Sequence, residues 1–540
     1  MYRSNSTAVM AMLSVVLIIL GGLALLKGGF YIAKHEGDTL HLVDIIMRMA
    51  DGQVPHQDFM TPIGGLAFVP IVFFINQGLG IGISILAGQV LVAIVLFPAI
   101  WWVVTSRLSS RLAILFGGAV LVLVLALVHG EGQSSLSISM HYNRWAWALS
   151  FLAILTAIIP PEFRKNAFVD GILIGAMMSG LVMIKVTYFV AFLVPVIIGL
   201  ILTGQKRTFI IAAVTGGTIA AGLTLWLGVV YWQAYFSDLI TVLNSEGRSA
   251  PGLSFGSVIS APSYVGGSIV VLLGVIVLRG IQQREAGALL LMIIPGFFYV
   301  TYQNFGNDPQ WLVLVGVLLL RLRPARGAVQ IFGSDGRQTL NILASVALAF
   351  TTPSFVNMAM SPFRHYSIDT SNYTRILPDN KTYADLYGAS IRLKKTTASV
   401  PLETFDPMFS NEPNPEDDPI LWMGETLPEC SVDVGMSTYF QKLTADLIEN
   451  GVQTGSRIFA ADIFNVHWIY ADFEPLISGA PWYYGGLPGY ASANYLIIPL
   501  CALSLDVRAE LIDALNEHGT DGLTEITRSN SYILYKKLSD

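Results

Sequence analysis

Residues 28–65 read GGFYIAKHEGDTLHLVDIIMRMADGQVPHQDFMTPIGG. The stretch directly follows the first apolar segment of the chain, Val9–Leu26. It packs Glu36, Asp38, His41, Asp44, Asp51, His56 and Asp58 together in a chain that is only 13% charged. An average soluble domain is about 25% charged, so so dense a polar cluster beside an apolar span needs a reason. Val43, Ile46, Met47 and Ala50 recur at helical spacing. The stretch therefore predicts a polar-headed helix, closed by Gly52 and Pro55. Behind it, Leu66–Gln77 is apolar again, and whether that run crosses a bilayer decides the topology of all that follows.

Twelve residues of helix cover about 18 Å, against a hydrocarbon core of ~30 Å. Charge supplies the second argument. The chain is 53% hydrophobic with mean hydropathy +0.60, the composition of a polytopic membrane protein. Apolar runs that can span lie at 8–26, 81–104, 111–129, 145–160, 168–185, 186–203, 208–230, 264–279, 286–302, 309–321 and 338–357. The N-terminus, with Arg3, is placed in the cytoplasm, and Val9–Leu26 is read as an uncleaved first span. If 66–78 stays on one side, the cytoplasmic loops hold Arg107 and Arg111, Arg164 and Lys165, Lys206 and Arg207, Arg279 and Arg284, and then Arg321, Arg323, Arg326 and Arg337. That is the positive-inside pattern. The expectation is eleven spans, a re-entrant or juxtamembrane helix at 66–78, and a tight reversal or helix break between Lys185 and Tyr188.

On this topology the first outer loop is 27–80, followed by outer loops at 130–144, 231–263 and Gln303–Asp308. Residues 1–357 form the transmembrane domain, and 358–540 form a separate extracytoplasmic domain. The later part turns polar, with an irregular Pro- and acid-rich loop at 398–419. It then reads as helix at Thr438–Asn450, strands at Arg457–Asp462 and Tyr495–Pro499, helix at Asp506–His518 and a strand pair in Leu523–Lys537. That alternation suggests a small α/β domain. Both cysteines, Cys430 and Cys501, fall in it, on the side where disulfides persist; the compartment permits a bond between them, and the sequence alone leaves the pairing open. The net charge of −6 does not point to a nucleic-acid partner, and no Cys/His spacing of a metal site occurs.

In the first loop an acid is followed by about a dozen helical residues and then by G-x-V-P-x-x-D-F-x-x-P-x-G-x-L, opening an apolar helix. This pattern resembles the first periplasmic loop of the GT-C superfamily of membrane glycosyltransferases. It is most similar to the family-39 protein mannosyltransferases and the lipid A aminoarabinose transferases. The matching residues are Asp38, Gly52, Val54, Pro55, Asp58, Phe59, Pro62 and Gly64. The rest of the chain is similar only in outline. The resemblance implies a GT-C-like bundle in a bacterial inner (plasma) membrane. It implies a polyprenyl-phosphate-linked sugar as donor, a glycan, lipid or protein hydroxyl as acceptor, and Asp38 as catalytic base. Many relatives carry Asp-Glu at this point, whereas Thr39 follows Asp38 here, which leaves Glu36 as a rival.

The chemistry fits the residue types. A positioned carboxylate that takes the acceptor's proton contributes roughly 10²–10⁴-fold, and a departing lipid phosphate needs cations. Asp38 could equally be a solvated acid or a helix cap. Arg144, beside His141, Tyr142 and Asn143, could hold phosphate by its planar fork or lie at the interface near Trp145 and Trp147. Lys185, in GLVMIKVTYFV, could contact a phosphate or snorkel. His56 and Asp58 are candidates for substrate or metal, or simply bracket the turn after Pro55. Glu131 is a possible ligand of a divalent metal ion, Asn307-Asp308 a capped turn before Pro309, and Trp482, Tyr483, Tyr484 and Tyr490 possible sugar-stacking rings. Competing readings are a transporter or flippase of lipid-linked saccharide, a lipid-linked glycan ligase or polymerase, and a non-catalytic sensor.

Overall fold

The computed structural model describes residues 5–538 apart from 131, 246–253, 304–308, 328–329, 332, 378–383, 402–407 and 409–418. The readings at Arg3, Glu131, Asn307-Asp308 and most of 398–419 lie outside the described residues.

The chain enters through α1 (Ser6–Leu26), a short strand β1 (Phe30–Ile32) and α2 (Glu36–Ala50). A 3₁₀ turn at Gly65–Ala67 leads into α3 (Val69–Asn76). Eight residues of helix reach about 12 Å, so α3 is too short to cross. It packs on α4 (Ile81–Arg107), where Gly88 admits the Ile71 backbone. There follow α5 (Ser110–Leu125), α6 (His141–Ile158), α7 (Ala167–Ile184), α8 (Val186–Leu202), α9 (Lys206–Leu227), α10 (Val229–Leu243), α11 (Phe255–Ser260), α12 (Pro262–Gly280), α13 (Arg284–Gln303) and α14 (Leu312–Arg321). A minimal hairpin, β2 (Gln330–Ile331) and β3 (Ser334–Asp335), precedes α15 (Gly336–Ser367). Each of the eleven expected apolar segments is helical. Among the described residues, seven helices are long and apolar enough to cross a membrane (α1, α4, α7, α9, α12, α13 and α15), which is compatible with an integral membrane protein.

Small residues bring the helices close. On α7, Gly171 and Gly175 lie against Ile211, Ala212 and Thr215 of α9, where a Cβ would collide. Charge is also spent inside the bundle. Arg107, counted above as a loop cation, is fully buried and pairs with Asp170 at 2.7 Å, while the Trp102 indole donates to the same carboxylate at 2.8 Å. Between α7 and α8 the helix breaks at one residue: Lys185 is extended, with φ −156° and ψ 98°.

Two boundaries differ from the sequence expectation. The segment 231–263, read as a loop, contains α10 and α11. Tyr231, Tyr235 and Asp238 form one buried face of α10, whose polar residues interrupt the apolar run that marks a span. The last expected span, 338–357, also ends later, because α15 continues to Ser367. The shift in composition marks where α15 becomes polar, and Ser361 in that extension donates its hydroxyl to the Met358 carbonyl and accepts from the Leu127 amide at 2.9 Å.

Beyond α15 come β4 (Tyr373–Arg375), β5 (Leu386–Ala389), α16 (Ser390–Leu393) and β6 (Thr396–Ser399). The hairpin β7 (Leu421–Trp422) and β8 (Glu425–Thr426), then β9 (Cys430–Val434), α17 (Met436–Glu449) and β10 (Ile458–Ala460), follow. The chain closes with β11 (Tyr495–Pro499), β12 (Cys501–Ala502), α18 (Leu505–His518), β13 (Leu523–Arg528) and β14 (Tyr532–Lys537). The main sheet has the order β10-β11-β14-β13, and a smaller one the order β12-β9-β6. Cys430 and Cys501 face each other across β9 and β12 and form a disulfide, which resolves the pairing the sequence left open, with Cα atoms 4.4 Å apart. A third sheet joins the two halves of the chain, because β1 of the first loop pairs in parallel with β5.

One buried group gives this C-terminal region a pH dependence. His467 packs edge-on to Phe440, and among the described residues neither ring nitrogen has a hydrogen-bond partner. Burial pushes its pKa down to about 4 from an ordinary 6.5. The unfolded chain therefore binds a proton that the fold refuses, and stability present above about pH 6.5 falls as the pH drops toward 4. The effect is on the order of 3 kcal/mol. Thermal melts of the full-length protein between pH 7 and 4.5 are expected to fall less steeply in His467→Leu than in the parent.

Candidate functional site

The site is built where the first loop meets the second. His35, in the left-handed region at φ 65°, turns the chain into α2 and accepts the Thr39 amide on its carbonyl at 2.9 Å. Asp38 follows in the first helical turn, half-buried, near the positive end of the helix. Met140, also left-handed at φ 61°, turns the second loop into α6. Two non-glycine residues held in this region on either side of one contact mark a place where the surrounding structure overrides local preference. The contact between them is a 2.6 Å hydrogen bond from the Ser139 hydroxyl to Oδ2 of Asp38.

Two histidines neighbour this contact. The His35 ring bonds the Ser137 hydroxyl at 3.1 Å and lies 4.8 Å from the His129 ring, centroid to centroid. Burial lowers the pKa of His35, with the Asp38 carboxylate opposing. Burial pushes His129 down to about 3, helped by the nearby His35 and Arg144. From Met140 the site continues to Tyr142, whose hydroxyl bonds the Met140 sulfur at 3.4 Å. The ammonium of Lys185, partly exposed at the helix break, sits 5.5 Å from the Tyr142 ring centroid. Gly64 anchors the first loop to this break: its amide bonds the Ile184 carbonyl at 3.1 Å, and a Cβ there would collide with the Met183 carbonyl.

A relay of contacts leads from Asp38 through Ser139, the adjoining Met140 and Tyr142 to Lys185, and the other candidates make different contacts. Glu36 is buried under a two-point ion pair with Arg392, at 2.5 and 2.9 Å, so both of its oxygens are engaged. Arg144 has no exposed surface. Its terminal nitrogens donate to the carbonyls of Ala126 (2.9 Å), His129 (3.2 Å), Ser139 (3.3 Å) and Val128. It clasps the second loop and presents no fork to a phosphate. His141 is fully buried with a ring nitrogen 3.0 Å from the Ala67 carbonyl, and the buried Asn143 donates to the Met140 sulfur at 2.9 Å. His56, left-handed at φ 72°, pairs in the interior with Asp238 at 2.8 Å. Asp58 accepts the Val54 amide at 2.6 Å and so closes the turn. His141, Asn143 and His56 each commit one polar atom to an interior contact, and Asp58 commits a carboxylate oxygen to the turn.

The aromatic loop does not stand open either. Tyr483, Tyr484 and Tyr490 are buried, and Trp482 lies between His41 (5.5 Å) and Phe464 (4.9 Å), roofing α2. Cavities of about 630 and 490 Å³ border Met60, α10, Tyr483–Pro488 and α18, and neither is lined by Asp38 or Lys185. Among the described residues no group of three or more His, Cys, Asp or Glu could hold a metal ion. Ser139 and Arg392 went unnoticed in sequence. A lone serine in SISMHYNR carries no signal, and Arg392 lies 356 residues from Glu36.

No protein-family model, no curated protein and no solved structure matches the chain.

Proposed function

We propose that this protein is a membrane glycosyltransferase that moves a sugar from a polyprenyl-phosphate donor to an acceptor hydroxyl at the outer face of the membrane. The reading takes all eleven apolar helices as spans and the C-terminal domain as extracytoplasmic. The observation that carries it is Asp38, a half-exposed carboxylate at a helix start, oriented through one oxygen by Ser139. Among the described residues, no hydrogen bond reaches its other oxygen, Oδ1. Such a carboxylate is set to take a proton from an incoming hydroxyl. The likeness of Asp38–Gly64 to the GT-C first loop supports the same role, as does the loop's anchorage at the Lys185 break.

In this mechanism the acceptor oxygen attacks the anomeric carbon, Asp38 accepts its proton, and the bond from that carbon to the phosphate oxygen breaks. The polyprenyl phosphate leaves with the electron pair. Lys185 meets the charge that develops on the phosphate, where a cation acts most strongly in a dry site. The test is turnover with radiolabelled polyprenyl-phosphate sugars in reconstituted vesicles. Lys185→Ala is expected to raise the donor KM or lower kcat at least tenfold, with an unchanged thermal melt. No sugar transfer from any polyprenyl-phosphate donor by the parent protein would remove the proposal in favour of the transporter or sensor readings.

A further inference from the structure

We propose that Ser139 is the positioning residue of Asp38: it fixes Oδ2 so that Oδ1 is the oxygen that receives the acceptor's proton. The inference rests on the proposed function and deepens it.

Ser139 is itself held on three sides. Its amide donates to the Ser137 hydroxyl at 3.0 Å, its carbonyl accepts from Arg144 at 3.3 Å, and its hydroxyl donates to Asp38 at 2.6 Å. It is 1% exposed, so its hydroxyl has little freedom to turn elsewhere. Ser137 in turn is tied to the His35 ring, and the His35 carbonyl starts the helix that carries Asp38. The contacts close a ring through both loops: Asp38, Ser139, Ser137, His35 and back to Asp38 through the first turn of α2. A carboxylate on one side-chain bond rotates broadly about its last torsion. Within this ring, only the Ser139 hydroxyl stops that rotation.

The physical consequence is specific. Ser139 touches neither reacting atom in the proposed mechanism, so it acts only through the direction of Oδ1. The proton passes from the acceptor hydroxyl to Oδ1, the acceptor oxygen bonds the anomeric carbon, and the phosphate leaves; Ser139 keeps its own proton throughout. Loss of the pin leaves substrate affinity intact and spreads the carboxylate over unproductive orientations. Misplacement on the ångström scale costs up to about 10²-fold in rate.

The experiment measures kcat and both KM values for Ser139→Ala and Ser139→Cys beside Asp38→Asn, each variant first checked by thermal melting. Cys keeps the shape of Ser but donates only weakly, so it separates the hydrogen bond from packing. The expected result is a fall in kcat of roughly 10- to 100-fold in both Ser139 variants, with donor and acceptor KM within about twofold. The proposal is overturned if Ser139→Cys keeps parental kcat while Asp38→Asn is inactive, or if the loss falls on KM instead of kcat. An active Asp38→Asn overturns the base assignment itself, which is a different outcome from failure of the serine.

Discussion

Asp38→Asn is expected to lower turnover by about 10²-fold or more while donor binding survives. The substitution preserves size and can still accept the Ser139 hydroxyl on its amide oxygen, so the loop ring described above persists. What it removes is an oxygen able to take a proton. Stability is therefore expected to change little, and the loss falls on kcat. Glu36→Gln is the control on the same helix. It weakens the ion pair to Arg392, whose side chain is 47% exposed, so the cost is that of a partly solvated pair, about 1 kcal/mol. Turnover is expected to stay within a few-fold of the parent. If Glu36→Gln abolishes turnover and Asp38→Asn does not, the two roles are exchanged. If neither does, the first loop is not where the chemistry occurs.

Arg144→Ala is expected to have the largest effect on the fold. Four buried carbonyls between α5 and α6, those of Ala126, Val128, His129 and Ser139, lose a charged donor. Each buried acceptor left unpaired costs about 1–3 kcal/mol, so the total is expected to exceed about 3 kcal/mol. Arg144→Lys is expected to rescue little, because one ammonium cannot serve carbonyls spread around a planar fork. Thermal melts in detergent measure the loss. A phosphate-binding arginine behaves in the opposite way: the fold survives and the donor KM rises. An Arg144→Ala protein with a parental melt and a raised donor KM would return Arg144 to the substrate.

Much of the architecture was legible because its causes are local. A run of apolar residues long enough to span, a run too short to span, and the alternation of helices and strands in the C-terminal region all follow from composition and period. Strand Tyr495–Pro499 has the bounds that its apolar run predicts, and α18 starts one residue before its expected start. The misreadings also have local causes. The polar residues of α10 hid a helix in a loop, and the polar end of α15 hid the last ten residues of that helix.

The candidate site divides along the same line. By itself the sequence determined that a carboxylate-rich helix follows the first span, that Asp38 stands in its first turn, and that a lysine interrupts an apolar pair of helices. Those are facts of order along the chain. Only the tertiary structure decided which polar groups meet. Ser139 lies 101 residues from Asp38, Arg392 lies 356 from Glu36, and β1 finds its partner in β5 of the C-terminal half. Arg144 shows why such matters are invisible beforehand. An arginine that binds a ligand and one that binds four carbonyls have the same neighbours in sequence. What separates them is whether the chain, once folded, places backbone acceptors or solvent in front of the guanidinium.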